Sequence, residues 1–248
     1  MTKFDMSAAW DDSIQLLKSH SALIGAIAGV FFFLPALAVA WFGPTPIEPP
    51  AGASFEQSMA ALRETLRQMV PGQIVVGLST IVGSAAILRL WLARSGISVG
   101  EALTFALLFF PTLFVVQLLS GLAIGLGLIL LILPGLYMIG RLTLAAPSVA
   151  DRSYYNPIQA LKTSWELTRG NGWAIFFFLF LVTVVIFIAA MIVGLVVGLI
   201  AGADDGFGRM LGGVIEAGFG AIGSLVSVAI SAAAYRQLAV RSASDVFQ

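Results

Sequence analysis

The stretch from Ala102 to Gly140, ALTFALLFFPTLFVVQLLSGLAIGLGLILLILPGLYMIG, contains no charged residue, and its reading decides the fold class. A soluble domain spreads charge through every helix and loop. A run of roughly 20 apolar residues, rising ~1.5 Å each, is what the ~30 Å hydrocarbon core of a bilayer demands. Trp173 to Ala203 is equally bare. The same ruler, moved outward along the chain, predicts six membrane spans: Ser21 to Phe42, Gln73 to Ala93, Phe109 to Leu131, Pro134 to Ala150, Trp173 to Gly202 and Leu211 to Tyr235. Only structures that close their own backbone hydrogen bonds survive in lipid, so the expected fold is all-α: a polytopic membrane bundle forming one domain over residues 1–248.

Two of these divisions need argument. The block after Glu101 is too long for one helix, and Pro134-Gly135 is its strongest turn signal, so two spans are expected to meet there in a tight hairpin. Ser21 to Ala40 resembles the apolar core of a secretion signal. The preceding residues carry Asp5, Asp11 and Asp12, too acidic for such a leader, so the segment is expected to stay as the first span.

Thirteen basic and thirteen acidic residues cancel, which leaves no bulk field for nucleic acid. The charges instead mark the ends of the apolar blocks. With six spans and both termini cytoplasmic, Lys3, Lys18, Arg89, Arg94, Arg152, Lys162, Arg169, Arg236 and Arg241 fall inside, against Arg63, Arg67 and Arg209 outside. That bias orients a multi-pass membrane protein with both termini on the cytoplasmic side. The absence of cysteine excludes disulfides, thiolate metal sites and thiol nucleophiles, and the single His20 removes most metal and triad chemistry. No catalytic residue, metal ligand or cofactor site is assigned, and a non-enzymatic protein is expected.

Between the first two spans, residues 43–72 form the one substantial external segment, opening with Pro44, Pro46, Pro49 and Pro50. Ser54 and Gln57 have capping-box spacing. Phe55, Met59, Leu62, Leu66 and Met69 then recur at helical spacing, predicting a short helix on the outer membrane surface.

Residues 1–20 and 157–170 are expected to be cytoplasmic amphipathic helices, and they look alike. Ala9, Ser13, Ile14, Leu16 and Lys18 lie over Ala160, Ser164, Trp165, Leu167 and Arg169 without a gap. Each leads through a short polar break, Ser19-His20 or Gly170-Asn171-Gly172, into an apolar span. A weaker copy begins at Val99-Gly100-Glu101-Ala102-Leu103. The repeated unit is thus a short amphipathic helix followed by a transmembrane one, with Trp10 and Trp165 as candidate interfacial anchors.

The text from Leu133 to Gly172, LPGLYMIGRLTLAAPSVADRSYYNPIQALKTSWELTRGNG, is the most specific in the chain. It resembles the bacterial YciC-like inner-membrane proteins and the related glycerophosphoryl diester phosphodiesterase membrane domain. Pro134, Gly135, Arg141, Leu142, Ala146, Pro147, Ala160, Leu161, Ser164, Trp165, Leu167, Thr168 and Gly170 carry the resemblance. The resemblance implies a protein of the bacterial inner (plasma) membrane, and the membrane part only. Phosphodiester hydrolysis in such proteins belongs to a separate soluble domain with histidine and carboxylate ligands, which these 248 residues are not expected to form.

Polar residues inside spans are the remaining functional candidates. Arg141 and Glu216 each fall seven residues beyond an outer boundary, so both are expected ~10 Å deep, where an ion pair would offset the cost of an isolated charge. Glu216 lies on a line of small residues, Gly208, Gly212, Gly220 and Ser224. Together with Gly25, Gly29, Gly121, Gly125, Gly194, Gly198 and Gly202, these predict close helix packing. Gln117 reads as an interhelical hydrogen bond, and Asp204-Asp205-Gly206 as a turn. The favoured function is an organiser or accessory subunit in envelope or lipid homeostasis, with membrane lipids as partners and a protein partner or second copy left open. The alternatives are a small transporter or lipid translocator working through Arg141 and Glu216, and a membrane-embedded lipid-modifying enzyme.

Overall fold

The computed structural model describes residues 3–93, 96–201 and 206–244 of the 248-residue chain, and every element within them is helical. Six of the helical segments are long and apolar enough to cross a membrane. The chain is therefore an all-α membrane protein. Arg94, Gly202, Asp204 and Asp205 lie outside the described residues.

Helix α1 (Met6–Lys18) starts at Asp5, whose carboxylate accepts from the Ser7 and Ala8 N–H groups. His20, left-handed at φ 53°, breaks the chain before α2 (Ser21–Ala28), which continues through a π-helical turn, Gly29–Phe33, into α3 (Leu34–Phe42). The π turn has a local cause. Pro35 offers no N–H to the turn below it, and Leu34 N–H reaches back five residues to the Gly29 carbonyl. The widened turn seats on α4 (Phe55–Leu92) at Gly83, where a Cβ would stand 2.6 Å from Phe31 Cβ.

Helix α4 corrects the sequence reading. Its capping box at Ser54 and Gln57 forms as expected, but the helix does not end as a separate surface element before residue 73; it runs unbroken through Pro71 to Leu92. Proline there removes one backbone hydrogen bond. Packing compensates: Gly72 lets Val39 of α3 approach, to 3.1 Å from where a Cβ would be, and Thr65 accepts from Ile47 N–H at 3.0 Å, folding the proline-rich connector onto the helix. A helix of 38 residues is ~57 Å long, about twice the hydrocarbon thickness.

Next come α5 (Val99–Leu108), α6 (Phe110–Leu130), α7 (Ile132–Leu142) and α8 (Ala145–Arg152). The hairpin expected at Pro134-Gly135 turns three residues earlier, on Leu131 alone; Pro134 sits inside the first turn of α7, where its missing N–H has no helical partner to lose. The predicted fourth span is bent at Thr143 and Leu144 into α7 and α8. Then α9 (Pro157–Leu167) doubles back along α8, and α10 (Gly172–Ala201) and α11 (Gly206–Ser244) complete the bundle.

The core sits at the end of the bundle where the short helices gather. Each repeated unit contributes a buried pair of small residues one helical turn apart: Ala9 and Ser13, Ala102 and Ala106, Ala160 and Ser164, all 1% exposed or less. Two of the joints into the following span carry a left-handed residue, His20 or Gly170 (φ 79°). The short helices are structural parts of the bundle. Phe4 N–H donates to Asn171 Oδ1, Arg236 pairs with Asp12 at 3.0 Å, and Gln237 exchanges hydrogen bonds with the Asp5 backbone, so α1 is docked on α10 and α11.

Candidate functional site

Arg141 is 3% exposed, and Glu216 is not its partner. Ion pairs join Arg67 to Glu64, Lys162 to Glu166 and Arg236 to Asp12, while Glu216 is exposed on α11. The expected pair is therefore a correction. Its physical reason is the local supply of oxygen acceptors where α9 ends. Arg141 Nη1 donates to the Thr168 carbonyl and the Tyr137 hydroxyl, both at 3.2 Å, and Nη2 donates to the Trp165 carbonyl. The guanidinium lies 4.2 Å from the Trp165 ring centroid. Carbonyls at a helix C-terminus carry partial negative charge, so a cation is held there without a carboxylate.

Ser164 and Thr168 converge on this knot as well. Ser164 Oγ donates to the Arg141 carbonyl at 2.7 Å and accepts from Leu144 N–H, while Thr168 Oγ1 also reaches the Arg141 carbonyl. Gly140 lies so close to Gly172 that a Cβ would overlap its carbonyl oxygen. These residues thus form a structural clasp joining α7, α9 and α10. Arg89 repeats the arrangement: it donates to the Ala150 carbonyl at 2.7 Å and sits 4.6 Å over the Phe105 ring. As a charge at the end of a span it had read only as a topology marker. Trp165 has a role in the clasp as well as an exposed edge, and Trp10 packs edge-on against Phe178 while also half exposed.

Away from the clasp, a cavity of about 900 Å³ opens between α4, α6, α7–α8 and α11. Its wall is largely apolar, and no lining residue is charged; neither Arg141 nor Glu216 reaches it. The polar lining comes from seven side chains. Thr80, Ser84, Thr143 and Ser231 donate their hydroxyl protons to carbonyls of their own helices. Gln117 on α6 and Ser224 and Ser227 on α11 have no hydrogen-bond partner among the described residues. Gln117, expected to bond a neighbouring helix, faces this space instead. Gln117 and Ser227 are exposed and Ser224 is half-buried, so their donors and acceptors are open to an occupant of this space.

The fold and cavity together define a helical membrane protein with an uncharged, largely apolar cleft that opens on the flank of its bundle. No protein-family model, curated protein or solved structure matches the chain.

Proposed function

We propose that this protein is a non-enzymatic component of a bacterial inner membrane, with both termini cytoplasmic, that holds a membrane amphiphile in the cavity between α4, α6 and α11 as part of envelope or lipid homeostasis. The observation that carries the reading is the pairing of an open apolar cleft large enough for an acyl chain with three polar side chains free to bond an occupant, Gln117, Ser224 and Ser227. Apolar walls accept the chain, and the amide and hydroxyls bond a polar end. The distribution of basic residues supports the orientation, and the resemblance of Leu133 to Gly172 to YciC-like proteins supports the setting.

A translocator remains the second reading, favoured by the cavity alone. A relay through Arg141 and Glu216 has lost its basis, because the two residues are apart and neither lines the chamber.

The test is lipid retention. Protein extracted in mild detergent and examined by native mass spectrometry is expected to carry a bound amphiphile. The double variant Gln117→Leu, Ser224→Ala is expected to lose about tenfold in retention, the equivalent of one good hydrogen bond or two, while keeping its thermal stability. Wild-type protein that carries no lipid, or a variant that retains it undiminished, would refute the reading.

A further inference from the structure

We propose that α6 and α7 form a re-entrant hairpin whose tip, Leu128 to Pro134, stays within the hydrocarbon and touches acyl chains instead of emerging in water on the far side. The register of α7 against α10 makes the case. Gly140 abuts Gly172, and the Tyr137 ring lies 5.6 Å from that of Trp173, so the two helices run antiparallel with Arg141 level with the first turn of α10. Ile132 then lies only ~13 Å along the bundle from that level, beside the stretch of α10 near Val182.

The burial of α10 agrees independently. Gly172, Ile175, Phe176, Phe178 and Val182 are its buried residues, and none from Thr183 to Ile200 is buried. The far half still meets α11, with Ile186 beside Gly223, but it lacks the cover that the hairpin gives the first half. If the tip stood at the far water surface, the ~28 Å of α10 beyond Val182, with Thr183 as its single polar side chain, would project into water. A tip within the bilayer removes that contradiction.

Chemistry of the tip fits as well. All seven residues from Leu128 to Pro134 are apolar and exposed, with Ile129 at 82%. Only Leu131 is non-helical, and its N–H still donates to the Gly127 carbonyl at 3.0 Å, while Pro134 removes a donor from the first turn of α7. So compact a turn leaves few backbone groups unsatisfied, which is the condition for a turn in lipid. The connector between α3 and α4, by contrast, carries Glu48. The hairpin therefore fills mainly the leaflet on the α8–α9 side, and the bundle is wider there. This inference stands apart from the cavity reading.

The natural chain has no cysteine, so single cysteines report cleanly. Leu131→Cys and Ile129→Cys alter exposed side chains, and Ala53→Cys in the proline-rich connector serves as the control. With a membrane-impermeant maleimide, the tip cysteines are expected to react at least ~10-fold more slowly than Ala53→Cys from either face of the membrane, and to react freely in detergent. A nitroxide on Leu131→Cys should be relaxed by oxygen and protected from a water-soluble nickel chelate. Rapid labelling of the tip from either face, or relaxation by the nickel chelate, would overturn the proposal.

Discussion

Glycines occur in two settings in this bundle, and only one of them is a seam. At the clasp, Gly140 faces Gly172, and at the hairpin Gly127 faces Gly135, where a Cβ would fall 2.8 Å from the opposite Cα. In the far halves of α10 and α11, a Cβ on Gly194, Gly198, Gly212 or Gly220 would meet nothing within 4 Å, and the same holds for Gly25, Gly29, Gly121 and Gly125. The regular four-residue spacing that singled these out is therefore not a packing face within the chain. On α11 Gly208 is buried near the helix start, but from there to Gly220 the buried residues are Gly213 and Ala217, one residue and ~100° round from the exposed Gly212, Glu216 and Gly220, with Trp41 Cδ1 2.8 Å from a Cβ on Gly213. Small-residue spacing permits close approach; whether a neighbour is present is a tertiary fact.

The contrast is broken most directly by adding methyl groups. Gly140→Ala is expected to force α7 from α10 and cost about 3 kcal/mol or more, whereas Gly194→Ala and Gly198→Ala should change stability by no more than ~0.5 kcal/mol or raise it slightly through helix propensity. Thermal unfolding of the purified variants measures both. Equal losses at the two sites would show that the far glycines pack on something outside this chain.

Charge sharpens the same comparison at somewhat smaller cost. Arg141→Ala strips the Trp165 and Thr168 carbonyls of their donor and leaves a void, an expected loss of about 2–4 kcal/mol in unfolding experiments, and lysine should restore only part because it cannot present two nitrogens at once. Glu216→Gln, on the open face of α11, is expected to leave the melting temperature unchanged. A loss with Glu216→Gln matching that with Arg141→Ala would revive the ion pair.

The smallest effect concerns the third repeated unit. Ser98 N–H and Oγ–H donate to Glu101 Oε2 at 2.7 and 2.9 Å, and these hydrogen bonds lower the Glu101 pKa below its ordinary 4.5. A depressed carboxylate stabilises the fold above its unfolded pKa and loses that contribution as pH falls through the folded one. Amide exchange in the first turn of α5 is therefore expected to quicken, relative to its intrinsic rate, as pH drops below 4.5; Ser98→Ala, which removes the hydroxyl but keeps the backbone donor, should reduce the difference, and Glu101→Gln should abolish it.

Much of the architecture was legible in the residues because lipid imposes a coarse rule on length and charge. Apolar runs placed six helical segments, the Ser54 capping box located the start of α4, and the Ala9 and Ala160 repeat matched real short helices. Pro71 misled, since a proline signal gives the local cost and not the packing at Gly72 that outweighs it. Gln117 was visible as a polar residue in a span, yet nothing along the chain placed it beside Ser224 and Ser227, which lie about a hundred residues away.

Composition and periodicity alone determined that the chain is a helical membrane protein, because a bilayer selects on average hydrophobicity over some twenty residues and that average is written locally. Which glycines touch, what holds Arg141, where the chamber opens and how deep the α6–α7 hairpin reaches were decided only in three dimensions. Those properties depend on the register and rotation of one helix against another, set by contacts between residues far apart in sequence.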